Sequence, residues 1–111
     1  MFTGELPKSM KYEIVIKPEA ENDLSETFGW YEERRNGLGY DFLLQVEAGL
    51  CFIEKNPLAF PEKYVGTRQY LIKRFPYKII YRVEDSKVIV LGIIYGGRDP
   101  KWIRKRINGF N

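Results

Sequence analysis

The sequence predicts an α+β fold in which a helical hairpin packs on a mainly antiparallel four-stranded sheet, with a short basic helix at the C-terminus. Three observations carry that prediction. Gln69–Phe75, Tyr77–Glu84 and Lys87–Tyr95 are consecutive runs rich in Tyr, Ile and Val, residues that suit a pleated, half-buried surface. Lys11–Lys17 is a fourth such run, with Tyr12, Ile14 and Ile16 on one face. Between the first run and the other three lie two segments whose apolar residues recur at helical spacing. The predicted order is β-α-α-β-β-β, then a short helix.

Pro18-Glu19-Ala20 opens the first helix, since proline suits a first turn and carboxylates suit the positive end of the dipole. Ala20, Leu24, Thr27, Phe28 and Tyr31 form its inward stripe, and Arg34-Arg35-Asn36-Gly37 ends it. The second helix spans about Tyr40 to Lys55, with Phe42, Val46, Leu50 and Ile53 inward, and Asn56-Pro57 stops it. Cys51 falls among these apolar residues and reads as a small buried hydrophobe. So short a link makes the two helices an antiparallel hairpin. Phe75-Pro76 separates the first two strands of the meander, and Glu84-Asp85-Ser86-Lys87 is a polar turn between the last two. The middle strand alternates, with Tyr77, Ile79, Tyr81 and Val83 opposite Lys78, Ile80, Arg82 and Glu84. The last strand is apolar from Val88 to Ile94, which places it centrally with both faces covered. Gly96-Gly97 turns the chain, and Asp99-Pro100 caps a basic helix, Lys101–Ile107. The helices cover one face of the sheet, leaving the opposite face, or the cleft beside the terminal helix, to bind a partner.

The 111 residues fit one domain, 10–111, preceded by a flexible tail, 1–9, with Met10 an alternative start. An apolar fraction of 44% argues against disorder, and no apolar run reaches the roughly 20 residues of a membrane helix. With no secretory h-region, the expected location is the cytoplasm. Histidine is absent, which removes the usual general base, the serine or cysteine triad and most zinc sites, and neither a metal nor a cofactor is expected. Residues 1–67 carry 7 Lys/Arg against 12 Asp/Glu, whereas residues 68–111 carry 11 against 3. Balances of −5 and +8 point the C-terminal half toward an anionic partner.

Five phrases in this order, P-E-A-E-N-D-L (Pro18–Leu24), G-x-x-F (Gly39–Phe42), N-P (Asn56-Pro57), R-F-P-Y-x-I-x-Y (Arg74–Tyr81) and R-D-P-x-W (Arg98–Trp102), are shared with a known family. The pattern, spanning about Lys11–Arg106, resembles the RelE/ParE superfamily of toxins from type II toxin–antitoxin modules, and more specifically its ParE-like, plasmid-stabilisation branch. The resemblance implies a toxin masked by an antitoxin segment that is acidic and amphipathic. ParE-like members inhibit DNA gyrase without catalytic residues. RelE-like members cut messenger RNA on the ribosome, and a repurposed nucleic-acid-binding domain is a third reading.

For the nuclease alternative, the resemblance places Lys78 on the middle strand and Arg98 after the last strand, with Arg82 joining them on the scissile phosphate. No tyrosine follows Tyr95, and the position where the RelE pattern has one falls near Arg104. Lys73-Arg74 is the nearest match to the RelE lysine pair. The target-binding candidates are Arg74, Lys78, Arg82, Arg98, Trp102, Arg104, Lys105 and Arg106. Their plainer readings are outward solvated charges for Lys78 and Arg82, a local pair with Asp99 for Arg98, a solvated helix face for Arg104, Lys105 and Arg106, and packing of the terminal helix for Trp102.

Overall fold

The computed structural model describes residues 12–110. The predicted tail, the alternative start at Met10 and the first residue of the first strand lie outside the described residues. The elements are β1 (Glu13–Ile16), α1 (Pro18–Arg34), α2 (Leu38–Lys55), β2 (Arg68–Leu71), β3 (Tyr77–Glu84), β4 (Lys87–Tyr95) and α3 (Pro100–Asn108). The sheet order is β1-β4-β3-β2. The meander is antiparallel as predicted, and β1 lies parallel to β4, so the sheet is mixed. Val88 to Ile94 are all buried, as their apolar run requires of a central strand. Among the described residues no helix is long and apolar enough to cross a membrane.

The helices cover the first face of the sheet through the predicted stripes: Ala20, Phe42, Val46 and Ile53 join Ile79, Tyr81, Val90 and Ile93 in one cluster. The link is tighter than the sequence suggests. Gly37 takes φ 90°, and α2 begins at Leu38, two residues before the predicted start. The Glu32 carboxylate accepts from the N–H groups of Gly37 and Gly39, both at 2.9 Å, and so closes the hairpin. A Cβ on Gly39 would lie 2.7 Å from the Phe28 carbonyl oxygen, so the helices meet at a glycine. Cys51 is exposed, contrary to expectation. It lies two residues from Ile53, about 200° around the helix from the buried stripe.

β2 is shorter than the predicted Gln69–Phe75. Ile72 N–H still bonds the Tyr77 carbonyl at 3.0 Å, but Arg74 adopts φ 71° and turns the chain. Phe75 thereby enters the core against Phe42 and Tyr31, with ring centroids 5.4 and 4.9 Å apart. Tyr81 is fully buried, and its hydroxyl donates to the Pro57 carbonyl at 2.5 Å. Burial pushes its pKa up to about 12. The fold therefore holds the phenol neutral: that stability is complete below the unfolded pKa near 10 and is lost as pH rises toward 12. Tyr81→Phe should cost about 1–2 kcal/mol at neutral pH, because the Pro57 carbonyl loses its donor. It should also flatten the alkaline fall of the melting temperature between pH 10 and 12. An unchanged alkaline limb would remove Tyr81 as its cause.

The second face is not left open. α3 lies on it, with Ile103 and Ile107 packed on Ile80, Ile89, Leu91 and Ile94. Asp99 caps this helix by accepting from Lys101 N–H at 2.9 Å. The β3–β4 ladder slips at Ile80/Tyr81, where Gly92 faces Ile80 and Val90 faces Tyr81, leaving Leu91 as an extra residue. Leu91 faces α3 in phase with Ile89, and the slip turns Ile93 to the face of α1.

Candidate functional site

Asp23, one turn into α1, joins three elements that the sequence keeps far apart. Its carboxylate receives Arg106 through Nη1–Oδ2 at 2.8 Å and Nη2–Oδ1 at 3.0 Å, a two-pronged pair. Oδ2 also accepts from Ile93 N–H at 3.0 Å, on a stretch of β4 beyond the last β1 pairing at Val90. Arg106 Nη1 further donates to the Leu91 carbonyl at 3.1 Å. Both side chains are about one-sixth exposed. The hydrogen bond to Asp23 is the main cause that raises the Arg106 pKa, against the opposing effect of burial. A Cβ on Gly92 would sit 3.1 Å from Arg106 Nη1, so a glycine at the slip admits the guanidinium.

Asp23 also lines a cleft of about 240 Å³ between α1, the end of β4 and the start of α3. Trp30, Tyr77, Tyr95 and Trp102 give it aromatic walls, and Glu26 and Arg98 give it charges of opposite sign. The Arg98 guanidinium lies 4.0 Å from the Trp102 ring and that of Arg106 lies 4.8 Å from it. Asp99 serves as the helix cap, and no Arg98–Asp99 ion pair forms among the described residues.

A second basic area lies on the α3 side of the sheet. Lys78 is only 5% exposed. Its register partners are Leu71 and Ile94. Burial first, and the charge of Lys63 second, push its amine below the usual lysine range. Lys63, Tyr64 and Arg104 line a neighbouring cavity of about 310 Å³. The Arg104 guanidinium covers the Tyr64 ring at 5.4 Å.

A sequence model of the family described as "ParE toxin of type II toxin-antitoxin system, parDE" matches residues 14–100. The chain belongs to the ParE toxin family. Among solved structures it is similar to a chain of the chromosomal ParDE toxin–antitoxin system from P. aeruginosa. That match has 15% identity and a TM-score of 0.68, and covers 76% of this chain and 95% of the other. It is also similar to a chain of the RelBE2 toxin–antitoxin complex from Mycobacterium tuberculosis, at 18% identity and a TM-score of 0.53, covering 79% and 94%. At these identities the likeness is one of fold. No curated protein sequence matches the chain.

On this ParE scaffold the candidate residues divide into separate places. Arg98 and Trp102 share the end cleft. Lys78 and Arg104 belong to the α3 side of the sheet. Arg82 lies four residues along β3 from Lys78, with Nε 2.8 Å from Glu84 Oε2, an ion-pair contact whose angle is not that of a hydrogen bond. Arg74 stands exposed at the β2–β3 turn, and Lys105 is exposed on α3. Arg106 is held inside the fold by Asp23. Lys78 and Arg82 are thus not the solvated pair that alternation suggests: Lys78 is 5% exposed and the Arg82 side chain 20%. Asp23, Glu26, Lys63 and Tyr64 escaped the sequence reading. Only Asp23 carried a signal, as part of the P-E-A-E-N-D-L phrase.

Lys78, 5% exposed, yields a direct prediction. Its lowered pKa means that the folded state disfavours the charged form, so stability should rise with pH as the amine loses its proton. Lys78→Met should stabilise the protein by about 1 kcal/mol at neutral pH in urea unfolding and abolish that rise. A less stable variant would show that Lys78 finds a compensating partner in solution.

Proposed function

We propose that this ParE-family chain is the toxin of a two-protein module, that it inhibits DNA gyrase and so blocks replication in the cytoplasm, and that a cognate antitoxin holds it inactive. The observation that carries this reading is the dispersal of the residues a ribonuclease would need. Lys78 is buried on the α3 side, Arg82 pairs with Glu84, and Arg98 stacks on Trp102 in a different cleft. Arg104, where the RelE pattern has tyrosine, cannot supply a phenolic proton at neutral pH. The chain acts by binding, through the end cleft with Arg98 and Trp102 and through the exposed Arg74, Arg104 and Lys105.

An antitoxin partner is supported by the two structural relatives, both described as toxin–antitoxin assemblies. The surface offers it an apolar row on the outside of α2, where Tyr40 and Leu44 are each 60% exposed and Phe52 is 50% exposed. A segment laid along that row and continued onto the basic face would order on binding.

The test is to add the purified chain to gyrase and follow supercoiling, and to pulse its expression in growing cells while following DNA and protein synthesis separately. Loss of supercoiling and an early stop in DNA synthesis are the expected results, and Arg98→Ala should weaken both. Early arrest of protein synthesis with messages cut at codons would assign the ribosome-dependent nuclease activity. Intact supercoiling without arrest of either kind would overturn both toxin readings.

A further inference from the structure

One indole ring receives two guanidiniums that are held very differently. Trp102 and Arg106 lie four residues apart on α3, and Arg98 lies four residues ahead of Trp102, in the turn that enters the helix. The Arg98 guanidinium is 4.0 Å from the centre of the Trp102 ring and that of Arg106 is 4.8 Å from it. Arg106 is pinned: Nη1 and Nη2 both donate to Asp23, Nη1 also donates to the Leu91 carbonyl, and the side chain is 16% exposed. Arg98 is exposed, and its side chain makes no hydrogen bond or ion pair with any described residue. Only its backbone is tied, by N–H donation to the Tyr95 carbonyl at 3.0 Å. The indole is therefore what restrains the Arg98 guanidinium. The indole in turn rests on the cluster that holds Leu91 and Ile103, and on the pinned Arg106. Two cations on one ring repel each other, and the Asp23 carboxylate offsets that repulsion by neutralising the inner one.

We propose that Asp23 and Arg106 are positioning residues for Arg98: together they set the Trp102 ring, and the ring presents the Arg98 guanidinium to the target in one orientation. This rests on the reading that Arg98 meets the target. An arginine tied only at its backbone gives up rotamer freedom when a partner fixes it, and stacking on a held ring lowers that loss before the partner arrives. Asp23 has both oxygens engaged, so it acts through Arg106. A carboxylate on α1 thereby governs a cation on the far side of the cleft, and the pair contributes to target binding through the placement of Arg98.

The test reads the Arg98 side chain directly, first without a target and then with one. In nuclear magnetic resonance spectra of the isotope-labelled full chain, the Arg98 δ protons should be displaced upfield by the Trp102 ring. Arg106→Met and Trp102→Leu should each move them toward the position of a free arginine, whereas Trp102→Phe should keep part of the displacement. Arg106→Lys keeps a cation beside Asp23 without the flat group on the ring; it should shift them too, and it covers a failure of Arg106→Met to fold. A merely structural Arg106 would lower the melting temperature and leave the Arg98 resonances in place, so unchanged resonances in either folded Arg106 variant would overturn the proposal. In supercoiling assays, Arg106→Met should raise the concentration needed for inhibition by about tenfold in the wild-type chain and hardly at all in the Arg98→Ala chain. Equal losses in the two backgrounds would also overturn it, because Arg106 would then act apart from Arg98. If the wild-type chain leaves gyrase untouched, the gyrase reading alone fails, and the Arg98 resonances still decide the positioning.

Discussion

Asp23→Ala should lower the unfolding free energy by about 3 kcal/mol, because it leaves a largely buried guanidinium without its partner. The Ile93 N–H loses its acceptor in the same variant. Arg106→Met removes the charge instead of stranding it and should cost less. Combining the two changes should recover part of the Asp23→Ala loss, since the double variant holds no unpaired cation in that place. Urea unfolding of the four proteins measures the coupling. If the two losses simply add, the Asp23–Arg106 contact is not the source of the stability. The near-ultraviolet spectrum of the two tryptophans gives an independent readout. Trp102 rests against the Arg106 guanidinium and should change environment when α3 loosens.

Phe42→Ala should be the more damaging change, at about 4 kcal/mol. Phe42 is completely buried, and its ring centroid lies 5.4–5.5 Å from those of Tyr31, Phe75 and Tyr77. Truncation would open a cavity among three aromatic rings drawn from α1, β3 and the β2–β3 turn, and none of these can collapse without dragging its backbone. Phe42→Leu keeps most of the volume and should cost far less. Similar losses for Leu and Ala would point to the ring contacts, not the filled volume, as the dominant contribution. Calorimetric melting of both variants separates these cases.

Local pattern made the elements legible. Period-2 runs gave the strands, helical spacing gave the stripes that bury Ala20, Phe42 and Ile53, and a continuous apolar run placed β4 at the centre. Where a residue's surroundings come from distant chain, pattern failed. Alternation along β3 reports that Lys78 and Arg82 share a face, but it is silent on what roofs that face. Arg104, Lys105 and Arg106 read alike in sequence. They separate only because Asp23, 83 residues away from Arg106, comes within reach of one of them. The bend at Arg74 was hidden because an arginine with positive φ carries no compositional mark. The family phrases pointed to Arg98 and Trp102, and the fold does bring those two together.

The parallel pairing of β1 with β4 fixes when this protein can come into being. Glu13 to Ile16 take Lys87 to Val90 as their partners, so a ribosome that has made only the first 86 residues has made a strand with nowhere to go. The helical hairpin can form early from local contacts, but the surface it is meant to cover arrives only with β4. Arg98, Trp102 and all of α3 are made later still. A partner that recognises the assembled sheet must wait for the finished chain, whereas one that grips the outside of α2 can bind while synthesis continues. A prematurely terminated product would hold the second kind of surface and lack the first.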